Sequence, residues 1–393
     1  MKKKSFLASI ASTIGLFLGA VTIALLLSEG LIRLVAPQRL ESYRPIYRSD
    51  SLLVYRLKAN YHALYSQPEF QITETTNDLG LRNNPIGPKQ PGTARILGLG
   101  DSFSYSNSVN LEETFFKQIE RSLNDVSPGS TEVINAAVPA YSLIQELRYL
   151  ERDGFLLDPD IVIVGFYVGN DFQDSQELFD SLGRPTVDVA DGQLLANDRF
   201  PSARYDRQER SVRTATMSLR AFFASNSALY VFLRERFSET LWRLGLRNNP
   251  PPPDFCAKTF APSMEQGWGL TQQLLDRLAG SSAAHRTKLL VVALPTQYQV
   301  HEDLWTHHFT TFGLRPEEYD LEKPQKILRE FCVNHGIDFV DVLPAMRAQA
   351  GKERLFYPIA SYMTPAGHRV VASVVSDHLR AGAFRQATSL PTH

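Results

Sequence analysis

Five short apolar runs, each followed by a stretch of helical period, constrain this chain more than any other feature. The runs are Arg95–Gly98, Glu132–Asn135, Ile161–Phe166, Lys288–Leu294 and Ile337–Val342. Helix-period segments lie between or after them at Leu111–Leu123, Leu143–Arg152, Leu270–Leu278, Gln325–Asn334 and Ala366–Leu379. A short apolar run without polar alternation suits a strand covered on both faces, and strands that alternate with helices run parallel. The pattern predicts a doubly wound sheet with helices on each side, a three-layer α/β/α sandwich with five parallel strands. In open sheets of this kind the reacting groups sit in loops at the carboxyl ends of the strands.

The first run ends in Gly100-Asp101-Ser102 and hands over to a helix. Gly100 permits backbone angles that other residues resist, so Ser102 can project its hydroxyl out of the turn. Taken alone, the tripeptide also reads as a polar turn that caps the next helix.

At 393 residues, 43% hydrophobic and 21% charged, the chain has the composition of an ordinary globular protein. Its net charge of −1 offers no basic excess for phosphates, so no nucleic-acid partner is expected. The amino end departs from this. Met1-Lys-Lys-Lys4 precedes the 22 uncharged residues Phe6 to Leu27. At about 1.5 Å per helical residue these match a hydrocarbon core of roughly 30 Å. Lysines ahead of the span keep the amino end in the cytoplasm and place the remainder outside. The length of the run, and the lack of a small-x-small site in Leu25-Leu-Leu-Ser-Glu-Gly30, favour an uncleaved anchor over a cleaved signal. Cys256 and Cys332 are the only cysteines; they read either as one disulfide or as two unpaired thiols. No Cys/His spacing reads as a metal site.

The chain then divides into an anchor over 1–34, an irregular lead-in over 35–94, the α/β domain over 95–381 and a frayed tail over 382–393. An insertion over about 178–262 is too long for a crossover. Within it, Leu219, Phe222, Phe223, Leu229, Phe232, Leu233, Phe237, Leu241 and Trp242 recur at helical spacing, interleaved with Arg220, Arg234, Arg236 and Arg243. This reads as a helical subdomain packed on the core, with a lid or a helix on an anionic membrane surface as the alternatives. Pro250–Pro253 reads as a stiff linker.

Three further segments complete a pattern. Val133 to Ser142 leaves a strand and turns into a helix, Gly169-Asn170-Asp171 ends the third strand, and Thr364-Pro-Ala-Gly-His368 opens the last helix. With Gly100-Asp-Ser-Phe103, in this order and spacing, the chain resembles the SGNH/GDSL hydrolase superfamily over roughly 95–381, a fold of flavodoxin-like topology. Asn77-Asp-Leu-Gly-Leu-Arg82 resembles a segment that membrane-anchored bacterial members carry upstream. The resemblance implies Ser102 as nucleophile on an ester carbonyl. It assigns the oxyanion donors to the Ser102 backbone N–H, an N–H at Ala140, where glycine is usual, and the Asn170 side-chain amide. Such donors are each worth about 10²–10³ in rate. The usual glycine two residues before the asparagine is here Val168.

The departure lies in the base. Relatives carry aspartate and histidine just before the terminal helix. Aligned on Thr364-Pro-Ala-Gly-His368, this chain has Ala360 at the aspartate position and Tyr362 at the histidine position. His368 is a doubtful base, since even one helical turn displaces it by about 5.4 Å. His301, His307 and His308 follow a strand end, where the sites of such folds lie, and are base candidates on that ground alone, with surface histidine as the plainer reading; Asp341 reads as a cap or turn residue.

The expected activity is therefore that of a serine esterase or acyl (acetyl) transferase on ester bonds of envelope glycans or lipids, with no cofactor and no metal. The alternative is a catalytically degenerate relative that binds an acylated or glycan ligand or a partner enzyme. The expected partners are a small-molecule or glycan ester and, through residues 6–27, the membrane. The expected location is the bacterial inner membrane, single-pass, with the main domain periplasmic.

Overall fold

Because side chains alternate across a strand, each of the five apolar runs feeds two layers at once. In the structure, a computed structural model that describes residues 2–38, 40, 46–67, 69–174, 187–190, 193–196, 222–244 and 254–383, the two layers are distinct. Helix α1 spans Lys2–Val35, and Ser12–Val35 is long and apolar enough to cross a membrane. Two antiparallel ribbons follow: β1 (Tyr47–Asp50) with β2 (Val54–Leu57), and β3 (His62–Ser66) with β4 (Gln71–Thr75). The α/β domain then runs β5 (Ala94–Gly100), α2 (Ser102–Tyr105), α3 (Phe115–Asn124), β6 (Thr131–Asn135), α4 (Leu143–Tyr149), β7 (Ile161–Tyr167) and α5 (Asp171–Asp174). A ribbon of β8 (Val187–Ala190) and β9 (Gln193–Ala196) and the helix α6 (Ala228–Arg243) belong to the insertion. The remainder is α7 (Pro262–Ala284), β10 (Lys288–Leu294), α8 (Gln297–Val300), α9 (Glu302–Phe312), α10 (Lys323–Asn334), β11 (Asp338–Asp341), α11 (Leu343–Ala350) and α12 (Pro365–His378).

The central sheet has the order β11-β10-β7-β5-β6 and is parallel throughout. Along β7, Ile161 and Ile163 enter one core with Phe115, Phe116, Val371 and Val375. Val162, Val164 and Phe166 enter the other with Leu147, Leu274 and Leu328. Burying each such side chain contributes about 1.5–3 kcal/mol. The order reverses beside β5, the first strand of this sheet in sequence, and the crevice of a doubly wound sheet opens at such a switch point.

The lead-in differs from the irregular path expected of it. Its strands of four and five residues carry too little alternation to show in sequence, and they are shaped by packing on the domain. Leu53, Leu57 and Leu81 are buried in the same core as Leu97 and Ile134. Cys256 and Cys332 are free thiols, both buried. The predicted helix start at Leu270 lies within α7, which begins eight residues earlier at Pro262. The Pro250–Pro253 linker, Leu219, Arg220 and the tail beyond residue 383 lie outside the described residues.

Candidate active site

Ser102 stands at the first position of α2, directly beyond β5. The turn that places it depends on close backbone approach. Gly100 has φ of +140°, and a Cβ there would lie 2.3 Å from Ser104 Oγ. Gly165, beside it on β7, would bring a Cβ to 2.0 Å from the same atom. Ser104 Oγ fills this space and donates to the Gly165 carbonyl at 3.1 Å. Only glycine at both positions lets the two strands and the Ser102 turn close together.

Asp101 caps α2, its Oδ1 accepting from the Phe103 N–H at 2.8 Å. Asn170 Nδ2, from the loop after β7, donates to Asp101 Oδ2 at 3.3 Å. Burial pushes the Asp101 carboxyl up to about 6, against the lowering effect of its donors, which include the Ser102 hydroxyl. Ala140, in the loop after β6, has φ of +63°. A non-glycine residue held there costs roughly 1–2 kcal/mol. The loop is tied down by Tyr55 from the lead-in, whose hydroxyl lies 3.0 Å from the carbonyls of both Pro139 and Ala140. Val168, where relatives have glycine, is fully buried, and its N–H donates to the Leu294 carbonyl. The structure thus brings Ser102, Asp101 and Asn170 together, with Ala140 in a left-handed turn on the adjacent strand end.

Beneath Ser102 lies a charge that the upstream motif supplies. Arg82 is completely buried. Its Nη1 donates to the Tyr105 and Ser106 carbonyls at 2.9 and 2.5 Å, and its Nη2 to the Val109 carbonyl at 2.5 Å. Its guanidinium carbon lies 4.7 Å from the centre of the Tyr105 ring, and the Tyr105 hydroxyl donates to Glu74 at 3.0 Å. Arg82 therefore grips the carboxyl end of the helix that begins with Ser102. Desolvation raises the Glu74 carboxyl, while the Arg82 charge opposes that rise.

The segment expected to carry the base is occupied differently. The Tyr362 ring packs 5.2 Å from Phe103 and 6.4 Å from Phe70, and its hydroxyl accepts from Asn107 Nδ2 at 3.3 Å. Phe103 in turn stacks on Tyr167 at 3.4 Å. The backbone N–H groups of Ile359 and Ala360 donate to Glu69 Oε2 at 2.9 and 2.6 Å. A carboxylate from the β3–β4 ribbon thus meets the segment where relatives carry their own. Gln297, after β10, donates from Nε2 to Ser361 Oγ at 2.9 Å.

The histidines are placed elsewhere. His368 is sealed between α3 and α12 with its ring 5.9 Å from Phe115, and neither ring nitrogen has a hydrogen-bond partner. Burial holds its pKa down to about 3. His301 and His308 are buried rather than on the surface as expected, because His301 packs edge-on to Phe356 and His308 against Tyr298. His301 Nε2 accepts from the Leu355 N–H at 3.2 Å. His308 lies 4.4 Å from Tyr298, and desolvation lowers its pKa to about 4; His307 is half-buried. Asp341, the last residue of β11, accepts from the Leu343 N–H at 2.9 Å across the turn into α11. Thr364 caps α12 through the Gly367 N–H, with Pro365 at the first position. Among the described residues no group of His, Cys, Asp and Glu is arranged to hold a metal ion.

Glu69, Asn107 and Gln297 had no signal in the sequence. They lie in segments without periodicity, and only the folded chain brings them to Tyr362 and its neighbours.

A serine on a tight turn at the switch point of a five-stranded parallel sheet, with an asparagine from the neighbouring strand end beside it, is the arrangement this three-layer α/β/α domain presents. Residues 255–392 match the family described as "SGNH hydrolase-like domain, acetyltransferase AlgX". That match begins after the strands that carry Ser102, Ala140 and Asn170 and includes the Tyr362 segment. Over residues 255–392 the chain is thus similar to an SGNH hydrolase-like domain. Similar solved structures include a lipase/acylhydrolase from Enterococcus faecalis, with 10% identity and a TM-score of 0.39, covering 73% of this chain and 96% of that one. A putative lipolytic protein of the G-D-S-L family from Desulfitobacterium hafniense has 11% identity and a TM-score of 0.36, covering 72% and 99%. The psychrotrophic esterase EstA from a Pseudoalteromonas species has 13% identity and a TM-score of 0.36, covering 73% and 96%. No curated protein matches the chain.

Proposed function

We propose that this chain is a serine-dependent esterase or acyltransferase that handles small acyl groups, acetyl foremost, on glycans or lipids of the bacterial envelope. Its domain would be held outside the cytoplasmic membrane by residues 6–27. The observation that carries this reading is the left-handed turn kept at Ala140, although alanine resists it. Strain of this kind persists where a site demands a geometry, and in this reading the Ala140 turn serves to present its N–H to the oxyanion.

In this mechanism Ser102 Oγ attacks the ester carbonyl carbon. The N–H groups of Ser102 and Ala140, with the Asn170 amide, receive the developing oxyanion. The proton of the serine hydroxyl passes to Asp101, the carboxylate against which the hydroxyl is held. With its pKa raised to about 6, Asp101 is ionised at neutral pH yet more basic than an ordinary carboxylate. Collapse expels the alcohol as Asp101 returns the proton to its oxygen; water or an acceptor hydroxyl, losing its proton to Asp101, then takes the acyl group, and Asp101 gives that proton back to the Ser102 oxygen.

The test is fluorophosphonate labelling and turnover of short p-nitrophenyl esters by the full chain, beside Ser102→Ala and Asp101→Asn. Ser102→Ala is expected to abolish both signals, a loss of about 10³-fold or more. Asp101→Asn should lower turnover and remove a rate profile that rises through pH 6. Turnover indifferent to Ser102→Ala would sink the nucleophile.

A second reading, a site that binds an acylated or glycan ligand without turnover, is favoured by Tyr362, whose ring and hydroxyl fill the place of the expected imidazole. Under it the wild-type chain neither labels nor turns over, and Ala360→Asp with Tyr362→His creates hydrolysis.

A further inference from the structure

A surface helix ordinarily turns its large apolar side chains inward and its polar ones outward. The described part of the insertion does the opposite. Ala224, Ala228 and Val231 are buried, whereas Phe222, Phe223, Leu233, Phe237 and Leu244 are 43–65% exposed. Leu233, Phe237 and Leu244 share one face of α6 by their spacing. Scattered apolar residues need no explanation, but a continuous apolar face calls for an occupant.

The occupant is indicated by what α6 is fastened to. The Glu29 carboxylate, near the end of α1, accepts from Ser227 Oγ at 2.8 Å and from the Ala228 and Leu229 N–H groups at 2.8 and 2.9 Å. It thereby caps the amino end of α6, a favourable place for negative charge. Arg33 donates from Nη2 to the Asn226 carbonyl at 2.8 Å and from Nε to Glu29 at 2.7 Å. The lock sits at the carboxyl end of the apolar span, where Leu31, Leu34 and Val35 are 59%, 85% and 74% exposed. The amino end of α6 is therefore packed beside the exposed apolar end of α1. The arginine stems add interfacial character. Arg234 lies over Tyr230 at 5.8 Å and Arg236 over Phe232 at 5.7 Å. In sequence the helix carries Arg234, Arg236 and Arg243 against Glu235 and Glu239. Aromatic and arginine side chains together suit the boundary between acyl chains and headgroups.

We infer that α6 and the Phe222–Phe223 pair before it lie in the outer leaflet of the bilayer that α1 spans, with phospholipid as the occupant of their exposed face. This rests on the reading of α1 as a retained anchor, which the Glu29 cap independently favours, since cleavage after α1 would remove the cap.

The test uses the full chain in nanodiscs of phosphatidylethanolamine and phosphatidylglycerol. An environment-sensitive fluorophore is placed on Phe237→Cys, on Leu233→Cys, on Phe17→Cys in the middle of α1, and on Lys352→Cys on the domain surface. The unsubstituted chain, with its two cysteines buried, serves as blank. Labels at 233 and 237 are expected to shift to the blue and to be quenched about twofold or more by lipids spin-labelled near the headgroup, and the label at 17 by lipids spin-labelled deep in the acyl chain, unlike the label at 352. Glu29→Gln should weaken that quenching while sparing the label at 17. Quenching at 17 without quenching at 233 or 237 would overturn the inference and leave the anchor standing. Loss of quenching at 17 as well would overturn the anchor reading. Protection of 233 and 237 from aqueous iodide without lipid quenching would mean that protein covers this face, and would likewise reject the inference.

Discussion

The two halves of the candidate site are built by different means. The nucleophile half rests on the sheet: Gly100, Gly165 and Ser104 interlock, Asp101 caps the serine helix, and Arg82 holds its far end. The other half, where the resemblance implies a base and which is called the base half below for its place, rests on loops. Residues 357–363 form a turn closed by the Tyr357 N–H on the Tyr362 carbonyl at 2.9 Å and the Ser361 N–H on the Tyr357 carbonyl at 2.8 Å, with Ser361 at φ of +63°. Side chains from outside, Glu69, Gln297 and Asn107, complete it. The half held by strands has the residues that the resemblance implies for a nucleophile and its oxyanion donors, whereas the half held by loops has Ala360 and Tyr362 where the resemblance implies aspartate and histidine. A loop can be restocked without disturbing a sheet, because its positions are fixed by a few hydrogen bonds rather than by two packed faces.

Breaking the nucleophile half should have the largest effect. Arg82→Met leaves the Tyr105, Ser106 and Val109 carbonyls without their donor in a dry interior. It is expected to destabilise the domain by about 3–5 kcal/mol, read as a shift in the urea midpoint at constant slope. A loss below about 1 kcal/mol would show that the grip on α2 is dispensable.

Next comes acid. His368 is held near 3 in the folded chain against an ordinary 6.5, so between these values the unfolded chain binds the extra proton. Its contribution is complete above pH 6.5 and is lost as pH falls, at about 1.4 kcal/mol per unit. His308, held near 4, acts in the same direction. Asp101, raised to about 6, acts oppositely, since the folded chain binds the extra proton between about 4 and 6. Denaturant titrations from pH 7 to 5 should show stability falling, and His368→Leu should flatten the slope by about one proton. An unchanged slope would place the titrating groups elsewhere.

Loosening the base half should cost less. Glu69→Gln removes the charge from two short hydrogen bonds to the Ile359 and Ala360 N–H groups, for a loss of about 1–2 kcal/mol. Hydrogen exchange confined to residues 357–363 would be the accompanying sign. The smallest change is Ala140→Gly. It relieves the left-handed strain but frees the unfolded chain, so a net gain of about 1 kcal/mol or less is expected from thermal unfolding. A loss would mean that the methyl group packs usefully.

Much of the nucleophile half was legible in the sequence, because strand, tight turn and helix cap are local matters. Gly100-Asp101-Ser102, Thr364-Pro365 and the five apolar runs each state their structure within about ten residues. The strand ends Lys288 and Leu294 agree with the structure, as does the α4 start at Leu143. The substitutions at Ala360 and Tyr362 were also visible. What took their place was not, since Glu69 and Ala360 stand 291 positions apart. The lead-in strands escaped notice for the same reason. Their residues are chosen to fit the domain, as Tyr55 fits the Ala140 turn, and not to form a sheet of their own.

Sequence alone therefore determined the parallel sheet, the place of Ser102 at its carboxyl edge and the apolar span at the amino end, because periodicity and turn chemistry act over short distances. Tertiary structure alone decided that Arg82 holds the serine helix, that Glu69 meets the altered base segment and that Glu29 caps α6. Each of these joins groups that chain order keeps apart, and buried charges and helix ends must find partners wherever the packed chain brings them.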